Sequence, residues 1–445
     1  MKQYESYKDS HIPSIGNVPD GWKVVPIKYV LEQSSNGIKI GPFGSTLTGK
    51  VSPDNEVKVY GQWNVIGKDF SAGKNYVSEK TYQELESYWI HPNDILISMM
   101  GTVGKCAIIP KGVAKGIMDS HIVKVRLDES VILPQYFYYV YDKDGSNVVM
   151  SQIQRDRRGS IMDGLNSTLI KGFIIPLPSI PEQKAIVSYL DTKVSQIDTI
   201  IAEKEAMVED LQSYRKSIIT EIVTHGLNPD ASMKDSGIDW MGTIPEHWKI
   251  VKTSYLFEEI GSGTTPNTNN EKYYVEDGIN WLQTGDLNDG YIEKTTKHIS
   301  LKALEDNSAL RVYPKGSLVI AMYGATIGKV GILNIETTTN QACCVLANSK
   351  SLLGKYAYYA FIASKQSLVN LAFGGGQPNI SQAIIRSHKL PVPPLEEQQA
   401  IVSYLDSKMH GFDFTVSELQ TQIEDLKSYK VSLITEAVTG KIDLR

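Results

Sequence analysis

The chain has 445 residues, 41% of them apolar and 21% charged, with 45 basic against 50 acidic side chains for a net charge of −5. Such a composition describes a folded protein of several domains, at about 100 to 200 residues each, and excludes a disordered or collagen-like chain. Three cysteines (Cys106, Cys343, Cys344) cannot build a disulfide framework, no leader-like apolar segment precedes Tyr4, and the most apolar run, Leu318–Leu333, carries Lys329 and falls short of the ~20 residues of a membrane span. A cytoplasmic protein without membrane contact is expected, and the eight histidines show no zinc-like spacing, so no metal site is expected.

In chain order, GPFGSTLTGK (41–50) is the first stretch that asks for a chemical reading. Its Gly44, Gly49 and Lys50 imitate a nucleotide-binding loop, but Val51 stands where such a loop needs Ser or Thr, and Ser52-Pro53 would stop the helix that must follow. The expectation is a surface loop whose Ser45, Thr46 and Lys50 approach DNA phosphate. Asp54 and Glu56 in PDNEVK lie on one short segment, whereas a nuclease metal site draws carboxylates from separate elements. The stretch NDILISMMGTVGKCAII (93–109) carries a Gly104-Lys105 turn. The run QIQRDRRGS (152–160) reads as an exposed basic loop with Arg155, Arg157 and Arg158 available to phosphates. In the second half, SGTTPNTNNEKYY (262–274) gathers Thr264, Thr265, Asn267 and Lys272, side chains suited to base edges and phosphates, and Gly328-Lys329 repeats the earlier Gly-Lys turn. Neither a base-flipping methylation motif nor a dinucleotide-binding glycine pattern occurs, so no catalytic centre is expected. The tyrosine pairs at 138–139 and 358–359 read as core.

The organising feature is a duplication. PLPSIPEQKAIVSYLDTK (176–193) matches PVPPLEEQQAIVSYLDSK (391–408), and from Glu182 to Thr224 against Glu397 to Thr439, 23 of 43 positions are identical without a gap. Prolines precede each copy and none interrupts it, which predicts one helix of roughly 65 Å at ~1.5 Å per residue. In the second copy Val402, Leu405, Met409, Phe412, Val416, Leu419, Ile423, Leu426, Leu433 and Ala437 follow steps of three and four, with Lys430 on the same stripe. In the first, Val187, Leu190, Val194, Ile197, Ile201, Val208, Leu211, Ile218 and Ile222 do the same, with Lys204 and Arg215 breaking it. A narrow apolar stripe sustained this long predicts an antiparallel coiled coil between the two helices, against the alternative that each packs on its own domain. The acidic excess also sits here: 181–230 and 391–445 each hold five basic and nine acidic side chains. Looser echoes link VPDGWKVV (18–25) with IPEHWKIV (244–251) and QYFYYVYD (135–142) with KYAYYAFI (355–362). The predicted fold class is therefore α+β: two globular α+β domains, 1–180 and 231–390, separated by long helices in 181–230 and 391–445, with a pseudo-two-fold from the duplication.

These residues resemble the specificity subunit of type I restriction-modification systems, through the Glu-Gln-x-Ala-Ile-Val-x-Tyr-Leu-Asp helix openings, Ile244-Pro245-Glu246-His247-Trp248-Lys249, Gly41–Ser45 and Gly263–Pro266. The resemblance implies two target recognition domains reading the halves of a gapped sequence in double-stranded DNA, with the helices as spacer and docking surface. It also implies two adenine methyltransferase subunits and restriction/translocase subunits as partners, which would bring S-adenosylmethionine, ATP and Mg, with no cofactor in this chain. Two other readings stand beside it: the specificity subunit of a related combined restriction-methylation enzyme, and a coiled-coil scaffold that does not bind DNA.

Overall fold

Each copy of the Glu-Gln repeat opens one continuous helix: Ile180–His225 and Leu395–Val438. Pro181 lies in the first turn of one, where a missing N–H costs nothing, and Pro393-Pro394 end the chain leading into the other. These observations come from a computed structural model, which describes residues 2–34, 37–142, 145–157, 165–373 and 378–445. The chain divides into two compact units, Met1–Glu205 with Thr421–Arg445, and Ala206–Gln420, so each long helix starts in one unit and ends in the other. No described helix is long and apolar enough to cross a membrane.

In the first unit an antiparallel sheet runs in the order Ile38–Ile40, Ile122–Val125, Ile95–Ser98, Cys106–Ile108. A second sheet pairs Val57–Tyr60 with Tyr76–Val77 and, in parallel, with Gly116–Met118. Lys23–Pro26 pairs with Ile174–Leu177, immediately before the long helix. The second unit repeats the plan. Phe257–Gly261, Cys343–Ser349, Leu318–Ala321 and Val330–Leu333 match the first sheet, Ile279–Leu282 with Thr338–Thr339 matches the parallel pair, and Lys249–Lys252 pairs with Lys389–Val392. The apolar run 318–333 thus forms two buried strands. One element is added: Tyr291–Ile292 joins Val330–Leu333 in parallel, and no strand among the described residues of the first unit matches it.

The long helices meet antiparallel within each unit. In the first, Asp198 pairs with Lys430 at 2.7 Å and Lys204 donates to Gln422 at 2.6 Å, rising numbers on one helix meeting falling numbers on the other. In the second, Arg215 pairs with Asp413 at 3.0 Å and Tyr214 meets Phe412 edge-on. Of the stripe residues, Leu190, Ile197, Leu405, Met409 and Leu419 are buried, while Val187, Val194, Leu211, Val402, Phe412 and Leu426 are half-buried. Lys204, Arg215 and Lys430, the charged members of the stripe, lie half-buried along it with their heads engaged by polar partners.

At their ends the helices do more than pair. Ile186 and Leu190 join Ile434, Ala437 and Val438 in a core with Trp22, Tyr136 and Ile175. Ile219 and Val223 join Ile401 and Leu405 in the counterpart with Trp248, Tyr356 and Leu390. Pairing with a helix and packing on a domain are therefore combined, and the adjacent apolar residues Ile186-Val187 and Ile401-Val402 widen the stripe for that purpose.

The Glu-Gln signature is the latch. Gln183 accepts the Leu133 N–H at 2.8 Å and donates to the Val131 and Pro178 carbonyls at 3.0 Å each. Gln398 repeats this with Leu353, Ser351 and Pro393 at 2.8, 2.9 and 2.9 Å. Both amides are fully buried and saturate backbone groups that would otherwise be orphaned. Glu182 accepts the Trp22 indole N–H at 3.1 Å, and Glu397 accepts that of Trp248 at 2.9 Å. Burial pushes the Glu182 carboxyl up, but hydrogen bonds from Ser179, Trp22 and Tyr4 outweigh it and hold the group below the usual carboxylate range. The tyrosine pairs serve the same joint: Tyr139 donates to Asp191 at 2.7 Å and Tyr359 to Asp406 at 2.6 Å, and of the four rings only Tyr138 is half-buried.

Candidate nucleic-acid interface

At one end of the sheets in each unit, three loops converge on a central one. In the first unit the central loop is Asp119–His121, between strands Gly116–Met118 and Ile122–Val125. The Asp119 N–H donates to Tyr60 O at 2.9 Å, the Met99 N–H to His121 O at 3.1 Å, and the Gly41 N–H to Ile122 O at 3.0 Å. A fifth segment closes the rim, with the Leu165 N–H on Met99 O at 3.3 Å. The second unit is laced the same way. Asn340 N–H reaches Leu282 O at 3.1 Å, Met322 N–H reaches Ala342 O at 2.8 Å, Ile380 N–H reaches Met322 O at 2.7 Å, and Gly263 N–H reaches Thr339 Oγ1 at 3.0 Å.

Glycine is required where the outer loop crosses the central one. A Cβ on Gly41 would lie 1.6 Å from the Asp119 carbonyl oxygen, and one on Gly263 would lie 1.7 Å from that of Thr339. This close approach is why GPFGS and GTTP begin with glycine, and it aims the residues that follow along the rim. Ser45 is exposed and Thr46 half-buried on a single helical turn, Gly44–Leu47, where the sequence suggested a plain loop; the Thr46 N–H closes it on Phe43 O at 2.8 Å. Lys50 is exposed and forms a solvent-facing ion pair with Glu84 at 3.6 Å. Thr265 donates to Gln341 of the central loop at 2.7 Å, and the Thr264 carbonyl takes the Trp281 indole N–H at 3.2 Å. Asn267 and Lys272 are exposed further along the same loop, with Asn267 accepting the Asn269 N–H at 3.0 Å.

The Gly-Lys turns serve packing. Gly104, at φ +87°, abuts Met150 and Ile153 of helix Asn147–Arg157, and Gly328, at φ +75°, abuts Val369 and Lys365 of helix Gly354–Asn370. Lys105 is half-buried beside the first, and Lys329 donates to the Leu287 carbonyl at 3.2 Å. Arg155 is exposed on a helix, not a loop, because Val148, Val149, Gln152 and Ile153 recur at helical spacing and are buried. That helix ends at Arg157, whose side chain is not described, and Arg158 lies outside the described residues.

Sequence reasoning passed over the side chains that the rim itself presents: Gln62 and Trp63 after Tyr60, Met100, and Asp119–His121 in the first unit, with Thr284, Asn340 and Gln341 in the second. The signal was a shared turn hidden by divergence. Asn64 Oδ1 accepts the Gly61 N–H at 2.9 Å, as Asp286 Oδ2 accepts that of Gln283 at 2.9 Å, so YGQWN and LQTGD are one device in different residues. Burial pushes the Asp119 carboxyl up, against the His121 N–H that it accepts at 2.8 Å. Among the described residues no three His, Cys, Asp or Glu side chains gather as metal ligands. The rim offers hydroxyls, amides, an imidazole and aromatic faces, which is the chemistry of base and phosphate recognition.

The comparisons with known proteins agree with this geometry. The family of the type I restriction modification DNA specificity domain matches residues 19–210 and 245–425. The chain is 24% identical over 462 residues to the type I restriction enzyme MjaVIII specificity subunit of Methanocaldococcus jannaschii, covering 99% of this chain and 97% of that one. It is 20% identical over 464 residues to the type I restriction enzyme EcoKI specificity subunit of Escherichia coli, covering 96% and 91%. A chain from a structural study of assembly and conformational transition in a type I restriction-modification system shares the fold at a TM-score of 0.71, with 18% identity and coverage of 96% and 99%. With matches spanning both globular regions and most of both long helices, the chain belongs to the specificity subunits of type I restriction-modification systems.

Proposed function

We propose that the chain reads a bipartite, gapped sequence in double-stranded DNA, one rim per half-site, while the two long helices set the gap and dock partner subunits. The partners are two methyltransferase subunits and the restriction/translocase subunits, which carry S-adenosylmethionine, ATP and Mg. This chain contributes recognition in the cytoplasm and holds neither cofactor nor catalytic centre. The observation that carries the reading is the pair of rims, laced by equivalent backbone hydrogen bonds at three crossings yet finished with different side chains, as two readers of two different half-sites require. Net acidity in the helical segments suits a protein-facing surface better than a phosphate-facing one.

The test is to express the chain with its methyltransferase subunits and map modified adenines across the host genome. A bipartite motif with a fixed gap is the expected outcome, and a contiguous motif or none overturns the reading. Inserting seven residues near Glu203 and seven near Glu424 keeps the antiparallel helices in register and lengthens each by about 10 Å. The gap should then change by roughly three base pairs at ~3.4 Å per step, with both half-sites unaltered. A gap of unchanged length would count against the spacer role. A scaffold that does not touch DNA predicts no shift of random-sequence duplex in a gel, whereas the reader predicts binding that weakens steeply with salt.

A further inference from the structure

The two rims carry their exposed bulk at different positions. On the first, Trp63 is 86% exposed, Phe43 83% and Met100 53%. At the places matching Trp63 and Phe43 the second rim has Gly285, one position past Thr284 in the shared turn, and Thr265 behind Gly263, whereas half-buried Tyr323 matches Met100 and exposed Phe373 lies beside it on the Asn379 bridge. Because the same turn and the same loop crossing are built with Gly and Thr, the fold does not need aromatic bulk at these positions. Trp63 is also singular among the six tryptophans: Trp22, Trp248 and Trp281 are 1% exposed, and Trp89 and Trp240 are half-buried. Leaving an indole in water gives up burial that folding could have used. The short helix bearing it, Gln62–Gly67, is held in place, with Gln62 Oε1 accepting the Met100 N–H at 3.4 Å and Asn64 donating to the Asp69 and Ala72 carbonyls at 2.8 and 3.0 Å.

We infer that Trp63 and Phe43 form an aromatic wedge that enters the base stack of the half-site read by the first domain, at positions that the second domain fills with Gly285 and Thr265. The inference rests on the DNA-reading function proposed above. An exposed aromatic face on a braced loop inserts between base steps or stacks on a base drawn out of the helix, and every base offers it a π-face. The braced turn matters because a floppy indole would lose on ordering what it gains by stacking. Recognition through a wedge reads the deformability of a step as well as its hydrogen-bonding edge, so the first half-site should contain a step that unstacks easily.

The test uses the complex with its methyltransferase subunits. Modified-adenine mapping of the unaltered complex first establishes the bipartite motif; if no such motif appears, the proposed function fails and the wedge is not reached. With the motif in hand, duplexes carrying 2-aminopurine at successive positions are titrated. Away from the adenines that the methyltransferase subunits take out of the stack, binding should raise the probe's fluorescence at one step of a single half-site and quench tryptophan emission. Trp63→Ala should abolish both signals and weaken binding roughly tenfold, with Phe43→Ala a smaller loss and Trp63→Phe restoring most of the affinity. In the genome map, Trp63→Ala should relax or lose one half-site and leave the other intact. Unchanged affinity and probe signal in Trp63→Ala overturns the wedge, as does equal damage to both half-sites.

Discussion

The two units lock their long helices with the same side chains and finish their rims with different ones. At the joint the correspondence is close: Gln183 and Gln398 hold three backbone groups each, Glu182 and Glu397 each take a tryptophan indole, and the Tyr136 and Tyr356 hydroxyls each share their proton between two backbone carbonyls, one of them on the partner helix. At the rim only the backbone lacing is shared. A joint that must position a helix tolerates little change, because buried polar groups lose their partners all at once. A rim facing solvent accepts almost any side chain that leaves its backbone hydrogen bonds intact. That division lets one fold serve two half-sites.

Changes at the joint should therefore hurt both units alike. Trp22→Ala and Trp248→Ala each empty a fully buried indole site and should cost about 3–5 kcal/mol in denaturant unfolding. A small effect in only one of them would show that the joints are not equivalent.

One core position breaks the equivalence. Phe173 and His388 both follow a short capped helix, and the carbonyl of each accepts from the residue just past the opposite strand, Ile27 at 2.9 Å and Thr253 at 2.8 Å. His388 is 7% exposed and stacks between Trp240 and Phe361, and its Nε2, like the Trp240 Nε1, has no hydrogen-bond partner among the described residues. Burial pulls its pKa down from 6.5 to about 4. Since the folded state disfavours the protonated ring, the second unit should be fully stable above about pH 6.5 and lose on the order of 3 kcal/mol as pH falls toward 4. His388→Phe, which copies the first unit, should flatten that pH dependence; an unchanged acid slope would place its origin elsewhere.

Smaller effects sharpen the same comparison. Gln183→Ala and Gln398→Ala leave buried backbone groups unsatisfied and should each destabilise by about 2 kcal/mol. Tyr139→Phe and Tyr359→Phe remove one charge-assisted hydrogen bond apiece and should cost about 1–2 kcal/mol, equally in both units. A marked inequality between the members of either pair, measured by chemical denaturation, would mark the joint that carries more of the helix's attachment.

Much of the joint was legible from the chain alone because it is made of contacts close in sequence or duplicated at constant spacing. The apolar stripe announced the helix pairing, and the Glu-Gln opening announced the helix start, although its task as a latch became visible only when Leu133, Val131 and Trp22 were seen around it. The rim was less legible. The sequence drew notice to Ser45, Thr46, Thr264 and Thr265, which flank it, and also to Lys105 and Lys329, whose glycine neighbours answer to helix packing. Trp63 and Phe43 carried no pattern, since a lone aromatic reads as core until its exposure is known.

By itself, then, the sequence determined two copies of one plan: a mixed domain followed by a long helix with a stripe to bury, written in spacings that local geometry obeys. Tertiary structure alone decided which loops meet at the end of each sheet, and so which side chains stand in solvent together. Those loops lie 20 to 80 residues apart along the chain and are joined by backbone hydrogen bonds, such as Met99 to His121 and Gly41 to Ile122, that no side-chain pattern encodes.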